Sequence, residues 1–113
     1  MRVLYIDVKS DNQTCLMARA QLLNEIDACK LGGFKVLKVI HGYGSHGVGG
    51  AIKKELMVEL NKLKKQKQIL DYIPCEKWTQ ANPIRKTAIE LSSELLNDSD
   101  LMYLNPGVTI ILI

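Results

Sequence analysis

The chain has 113 residues, 47% of them apolar and 24% charged, with a formal net charge of +3. That is enough for one domain with a hydrophobic core, and it is too rich in apolar side chains for a disordered segment. Three cysteines, Cys15, Cys29 and Cys75, are odd in number and widely spaced, which excludes a disulfide framework and reads as reduced thiols in the core. The longest apolar run, Val108 to Ile113, is far too short to span a bilayer, and the first, Val3 to Ile6, is cut off at Asp7. No membrane anchor or signal peptide is therefore expected, and the expected setting is the cytoplasm.

In chain order, Val3 to Val8 is a β-branched apolar run and predicts a first strand buried on both faces. Ser10-Asp11-Asn12 breaks it and supplies cap residues for a helix starting near Thr14, with Leu16, Ala20, Leu23 and Ile26 as its apolar stripe and Gly32-Gly33 as its stop. A second strand covers Lys35 to Ile40. Strand, helix, strand at this length implies a parallel crossover, which sets Asp7 and His41 at the same end of neighbouring strands. A second helix runs from about Gly50 to Lys67, with Ile52, Leu56, Leu60 and Leu63 on its buried face. Ile69 to Ile73 predicts a third strand stopped by Pro74. An insertion over 77–104 follows, with Trp78 as a cover for the sheet edge and a third helix from about Ile84 to Leu96, ended by Asn97 to Asp100. Asn105-Pro106-Gly107 turns the chain into a last strand, Val108 to Ile113. The expected architecture is a single α/β domain over 1–113, a two-layer βαβαβ(α)β sandwich with about four strands in a mixed, largely parallel sheet.

Between the second strand and the second helix lies His41-Gly42-Tyr43-Gly44-Ser45-His46-Gly47-Val48-Gly49-Gly50, which holds five of the eight glycines and both histidines. A glycine-rich turn leading into a helix aims backbone N–H groups at an anion, and glycine permits close approach and positive φ. The imidazoles and Lys53 and Lys54 beside it point to a phosphodiester; the plain alternative is a polar connector. Residues 1–68 carry twelve Lys/Arg against six Asp/Glu, while 69–113 carry three against six, so the half with the glycine loop is the basic one. That asymmetry fits a polyanionic partner, and it equally fits a solvated basic helix over Lys62, Lys64, Lys65 and Lys67.

Three motifs in order resemble the small MutS-related (Smr) domain family: Val39-Ile40-His41-Gly42-Tyr43-Gly44, the helix start Gly50 to Leu56, and the closing strand Gly107-Val108-Thr109-Ile110-Ile111-Leu112. The resemblance covers essentially the whole chain. It implies a fold similar to the C-terminal domain of translation initiation factor three and a nucleic-acid-binding domain, with nicking of DNA or cleavage of RNA as the activity. It departs from the family where Leu-Asp-Leu-His-Gly is expected: Ile6-Asp7-Val8-Lys9-Ser10 keeps the Asp and replaces the His by Lys9. The glycine loop is also longer than the commonest family form.

Phosphodiester hydrolysis needs neutralised oxygens, a deprotonated nucleophile and a proton for the leaving group. The expected catalytic pair is Asp7, orienting a water or holding a divalent cation such as Mg or Mn, and His41 as general acid or base. Lys9, Gly42, Tyr43, Gly44, Ser45, His46, Lys53 and Lys54 are the expected phosphate contacts, with Tyr43 either stacking on a base or packing on the adjacent helix. Asp7 as a cap or ion-pair partner and His41 as a buried imidazole stand beside these roles. No dedicated metal cluster is visible. The expected partner is DNA or RNA; a non-cleaving binding module and a phosphate-ligand or interaction module with a vestigial site are the alternatives.

Overall fold

The computed structural model describes residues 3–8, 14–42 and 48–113, with only the backbone of residues 48 and 49. The elements run β1 (Val3–Asp7), α1 (Cys15–Gly32), β2 (Val36–Ile40), α2 (Val48–Lys65), β3 (Asp71–Pro74), α3 (Pro83–Leu91), α4 (Ser99–Met102) and β4 (Val108–Leu112), with short 3₁₀ turns at Cys75–Lys77 and Ser93–Asn97. The strands form one α/β sheet in the order β1-β2-β4-β3. β1 and β2 pair in parallel, and β4 pairs antiparallel with both β2 and β3. Three strands therefore share a direction and one opposes them, although two of the three hydrogen-bonded pairs are antiparallel. Pro74, expected to stop β3 after Ile73, is instead its last residue, which an edge strand tolerates because no ladder donor is needed there.

α1 begins at Thr14, whose hydroxyl accepts from the Met17 amide at 3.1 Å, so the cap lies beyond Ser10 to Asn12, which fall outside the described residues. It ends as expected on Gly33, in the left-handed conformation at φ 74°, with its N–H on the carbonyls of Cys29 and Lys30. Its buried face is Ala18, Leu22, Ile26 and Cys29; of the expected stripe Ile26 is buried and Leu23 partly so, while Leu16 is 72% exposed and Ala20 is exposed. The reason is visible in the sequence: Leu16, Met17, Ala18, Ala20, Leu22 and Leu23 surround the helix with apolar side chains, and no single register stands out. α2 has a clean stripe, and Ile52, Leu56, Leu60 and Leu63 are all buried as expected. Both helices pack on one sheet face against Ile6, Val8, Leu37, Val39 and Ile111, which gives the expected helix layer on the sheet.

The segment after β3 covers the other face. Val36, Ile73, Val108, Ile110 and Leu112 alternate with the first set along their strands and bury against Cys75, Trp78, Ala88, Leu95 and Leu101. β4 is thus covered on both sides, and all five of its residues are buried. Both deep thiols are free and inert: burial pushes Cys29 up to about 11 and Cys75 up to about 12. The helix expected over Ile84 to Leu96 stops at Leu91, where Ser92 turns extended at φ −150°, and a 3₁₀ turn carries Leu95 into the core. Asp98, expected to help end that helix, starts the next one by accepting from the amides of Asp100 and Leu101.

Asp98 also ties the cover to the sheet. Lys38 on β2 reaches the carboxylates of Asp98 at 2.8 Å and Asp100 at 2.7 Å, with its side chain only 13% exposed. Burial alone would lower the Lys38 pKa, but the two acids outweigh it and hold the ammonium above its ordinary value. Asp98→Ala removes a helix cap and half of this ion cluster and is expected to cost about 2 kcal/mol, whereas Asp98→Asn keeps the cap acceptor and should cost roughly half as much. Urea unfolding of the two variants checks the ordering.

Candidate nucleic-acid interface

β2 ends at Ile40 and delivers His41 into the space between the sheet and the N-terminal half of α2. There the chain is clasped by the turn before β4: the amides of His41 and Gly42 both donate to the Gly107 carbonyl, at 2.9 and 3.0 Å. That turn is itself closed by Asn105, whose side-chain oxygen accepts from the Gly107 amide at 2.9 Å. Gly42 sits at φ 76°, a conformation that favours glycine and redirects the chain towards the loop.

The His41 side chain is fully buried, and both ring nitrogens are engaged. A carbonyl can only accept, so Nδ1 carries the hydrogen and donates to the Gly42 oxygen at 2.6 Å; Nε2 of the neutral ring then accepts from the Thr109 hydroxyl at 2.8 Å. Burial pushes the imidazole pKa below its ordinary value of 6.5; the Gly42 carbonyl opposes that, Lys53 adds to it, and Glu76 opposes it without reversing the direction.

Asp7 and His41 do end neighbouring parallel strands, as expected, with Asp7 opposite Ile40 in the register. Their side chains leave the sheet on opposite faces. Ile6 and Val8 point into the core beneath α1 and α2, so Asp7 between them projects to the other sheet face and is exposed, while His41 lies on the helix face with Thr109 and Ile111. The expected catalytic pair is therefore split by the sheet. The Gly42 amide, expected to face phosphate, is spent on Gly107. Lys9, Tyr43, Gly44, Ser45 and His46 lie outside the described residues.

Lys53 is placed unlike its sequence reading. Its ammonium donates to the Pro106 carbonyl at 2.8 Å and pairs with the Glu76 carboxylate. Burial alone would raise the Glu76 pKa, and the Lys53 ammonium more than offsets it, holding the carboxyl below its usual value. Lys53 is thus a clamp joining α2 to both turns at this end of the sheet, and Lys54 is the exposed cation of the two. Thr109 and Glu76 are the partners that sequence reasoning missed. A lone hydroxyl within an apolar strand was the available signal for Thr109; nothing local marked Glu76. Among the described residues no group of three or more His, Cys, Asp or Glu converges.

A parallel βαβ unit, a basic second helix and a closing Gly-Val-Thr strand make this a small α/β domain. The family model for the Smr domain matches residues 11–79, more than half of the chain, and the chain belongs to that family. Nucleic-acid binding of a nuclease-related kind is the function that membership supports. Comparison with curated proteins and with solved structures gave no match. The matched span ends at Thr79, so α3, α4 and β4 lie beyond it. No described helix is long and apolar enough to cross a membrane.

Two outcomes follow from this geometry. Because the folded-state pKa of His41 is lowered, its contribution to stability is complete above about pH 6.5 and is lost as pH falls through the folded value. The change in urea midpoint between about pH 7.5 and about pH 5 should therefore be smaller in His41→Gln than in the unsubstituted chain, and Thr109→Val, which strands Nε2, should cost about 1–3 kcal/mol at neutral pH. Separately, Lys53→Gln is expected to destabilise by about 1 kcal/mol while Lys54→Gln is neutral, the first ammonium being two-way bonded and the second exposed. Thermal melts of the single variants check this.

Proposed function

We propose that this Smr domain is a nucleic-acid-binding module that holds the phosphodiester backbone at the glycine loop and the exposed lysines of α2, and that it does so without His41 as an acid–base catalyst. One observation carries the second half of the reading: the His41 ring is fully buried, neutral by its surroundings, and has both nitrogens in hydrogen bonds. A general acid or base must reach the proton it transfers, and this ring has no open edge. Its work is to fix where β2 stops and where the loop begins. Family membership and the basic charge of residues 1–68 support the polyanion as partner.

Cleavage keeps one supporting observation, the exposed carboxylate of Asp7 at the end of edge strand β1. On this second reading Asp7 would act from the sheet face away from His41, with partners other than that ring.

The experiment pairs binding with cleavage. Titration of labelled DNA and RNA at increasing salt is expected to give affinity that falls steeply, with log affinity linear in log salt. Supercoiled plasmid and RNA incubated with magnesium or manganese are expected to remain uncut. Nicking or RNA cleavage that disappears in Asp7→Asn would establish the enzyme and overturn the non-cleaving reading; absence of any salt-sensitive binding would overturn the reading as a whole.

A further inference from the structure

The lysines farthest from the glycine loop form a surface of their own. α2 is 18 residues long, about 27 Å, and its outward side carries Lys54, Val58, Asn61, Lys62 and Lys65 at helical spacing, all exposed. At its far end an open cleft of about 670 Å³ is lined by Lys30, Phe34, Lys35, Lys64, Lys67 and Gln68. Lys64 pairs with Asp71 and Lys30 donates to Gln68, whereas Lys35, Lys62, Lys65 and Lys67 have no carboxylate partner among the described residues. Glu55 is the exposed acid of α2; Glu59 is buried against Arg19. Cations near the C-terminal ends of α1 and α2 complement the helix dipoles, which accounts for one or two of them and leaves the excess.

The chain also builds one helix stop twice. After α1, Gly33 donates to Lys30 and Phe34 to Cys29; after α2, Lys67 donates to Lys64 and Gln68 to Leu63. Both are Schellman stops, which need a left-handed residue at the turning position. Glycine fills it in α1 at φ 74°, and lysine fills it in α2 at φ 60°, where a side chain is strained. Helix termination alone would be served better by glycine. The cation at 67 has a cost in the folded chain and lies in the basic cleft.

We infer that the outer side of α2 and the basic cleft at its C-terminal end are a second contact surface for the phosphodiester backbone of nucleic acid, running along α2 from its N-terminal half, with Lys67 retained for binding at the expense of stability. The inference rests on the nucleic-acid reading of the domain and extends it. At one phosphate per 3.4 Å along a strand, the length of α2 corresponds to about eight nucleotides, so a fragment much shorter than that reaches only one end of the track.

The test uses Lys62→Gln/Lys65→Gln/Lys67→Gln and, separately, Lys67→Gly, titrated with oligonucleotides of about five and about twenty nucleotides over a range of salt. For the long strand, the triple variant is expected to lose at least tenfold in affinity and to flatten the salt slope by about two to three. For the short strand the loss should be much smaller. Lys67→Gly is expected to raise the melting temperature by about 3 °C while flattening the slope by about one. A folded triple variant with unchanged affinity and slope, in a protein whose unsubstituted form binds, would overturn this inference and leave the nucleic-acid reading standing. Failure of the unsubstituted protein to bind either strand would overturn that reading and the inference with it. Lys67→Gly that is less stable than the unsubstituted chain would overturn the assignment of strain to Lys67.

Discussion

The tie between the end of β2 and the start of β4 is the contact on which the rest of this fold depends. β4 is chemically the last strand but spatially an inner one, lying between β2 and β3 and buried over its full length. Its register is fixed at the loop end by three bonds that converge on two residues: the Gly107 carbonyl takes the amides of His41 and Gly42, and the Thr109 hydroxyl meets the His41 ring. A slip of one residue would turn Ile111 and Ile110 to the wrong cores and leave a buried imidazole nitrogen without a partner. The His-Gly and Gly-Val-Thr motifs, far apart in sequence, are thus two halves of one joint. Lys53 reinforces it from α2 by holding the Pro106 carbonyl and Glu76 together.

That joint explains how a short domain supports two cores. The helices α1 and α2 occupy one face of the sheet, and the segment from Cys75 to Met102 occupies the other, with Trp78 sealed under Arg85 at 5.8 Å from its ring. The second core lies mostly beyond the span that matches the family model, and its polar anchor is the Lys38 cluster with Asp98 and Asp100. A lysine side chain 13% exposed against an apolar core is stable there because two carboxylates meet its ammonium, and one of them is also a helix cap. The cluster therefore ties the cover to β2, on the face on which Asp7 emerges.

The fold was legible where one physical signal dominated. The α2 stripe is separated cleanly from its lysines, and the αL glycine after α1 has no rival explanation; both were read correctly. The α1 register was not, because apolar residues around the whole helix leave the choice of face to tertiary packing. The third helix was read too long because the apolar spacing of Ile84, Ala88, Leu91 and Leu95 continues through Ser92, where only the backbone records the break. At the loop end of β2, the sequence marks His41 but cannot show that its ring meets a threonine. That contact depends on Thr109, sixty-eight positions away. Strand alternation, by contrast, was available from the start: residue 7 lies between two core-facing apolar positions, and its outward direction follows from Ile6 and Val8 alone.

On the proposed reading, charge rather than a catalytic pair organises the loop end of the molecule. With the His41 ring neutral and closed and Lys53 neutralised by Glu76, what α2 offers a partner is its remaining lysines and the start of the helix. Lys54, Lys62 and Lys65 lie along one side of a rod of about 27 Å that leads to the basic cleft at its far end. A rod of separated cations favours a partner whose charges repeat over the same distance, and it gains little from a compact anion that can meet only one or two of them. The placement of Lys67 in a strained helix stop gives the same answer from the backbone: the far end of α2 retains a cation where folding alone would prefer none. The geometry of this surface therefore matches an extended polyanion better than a small phosphate ligand.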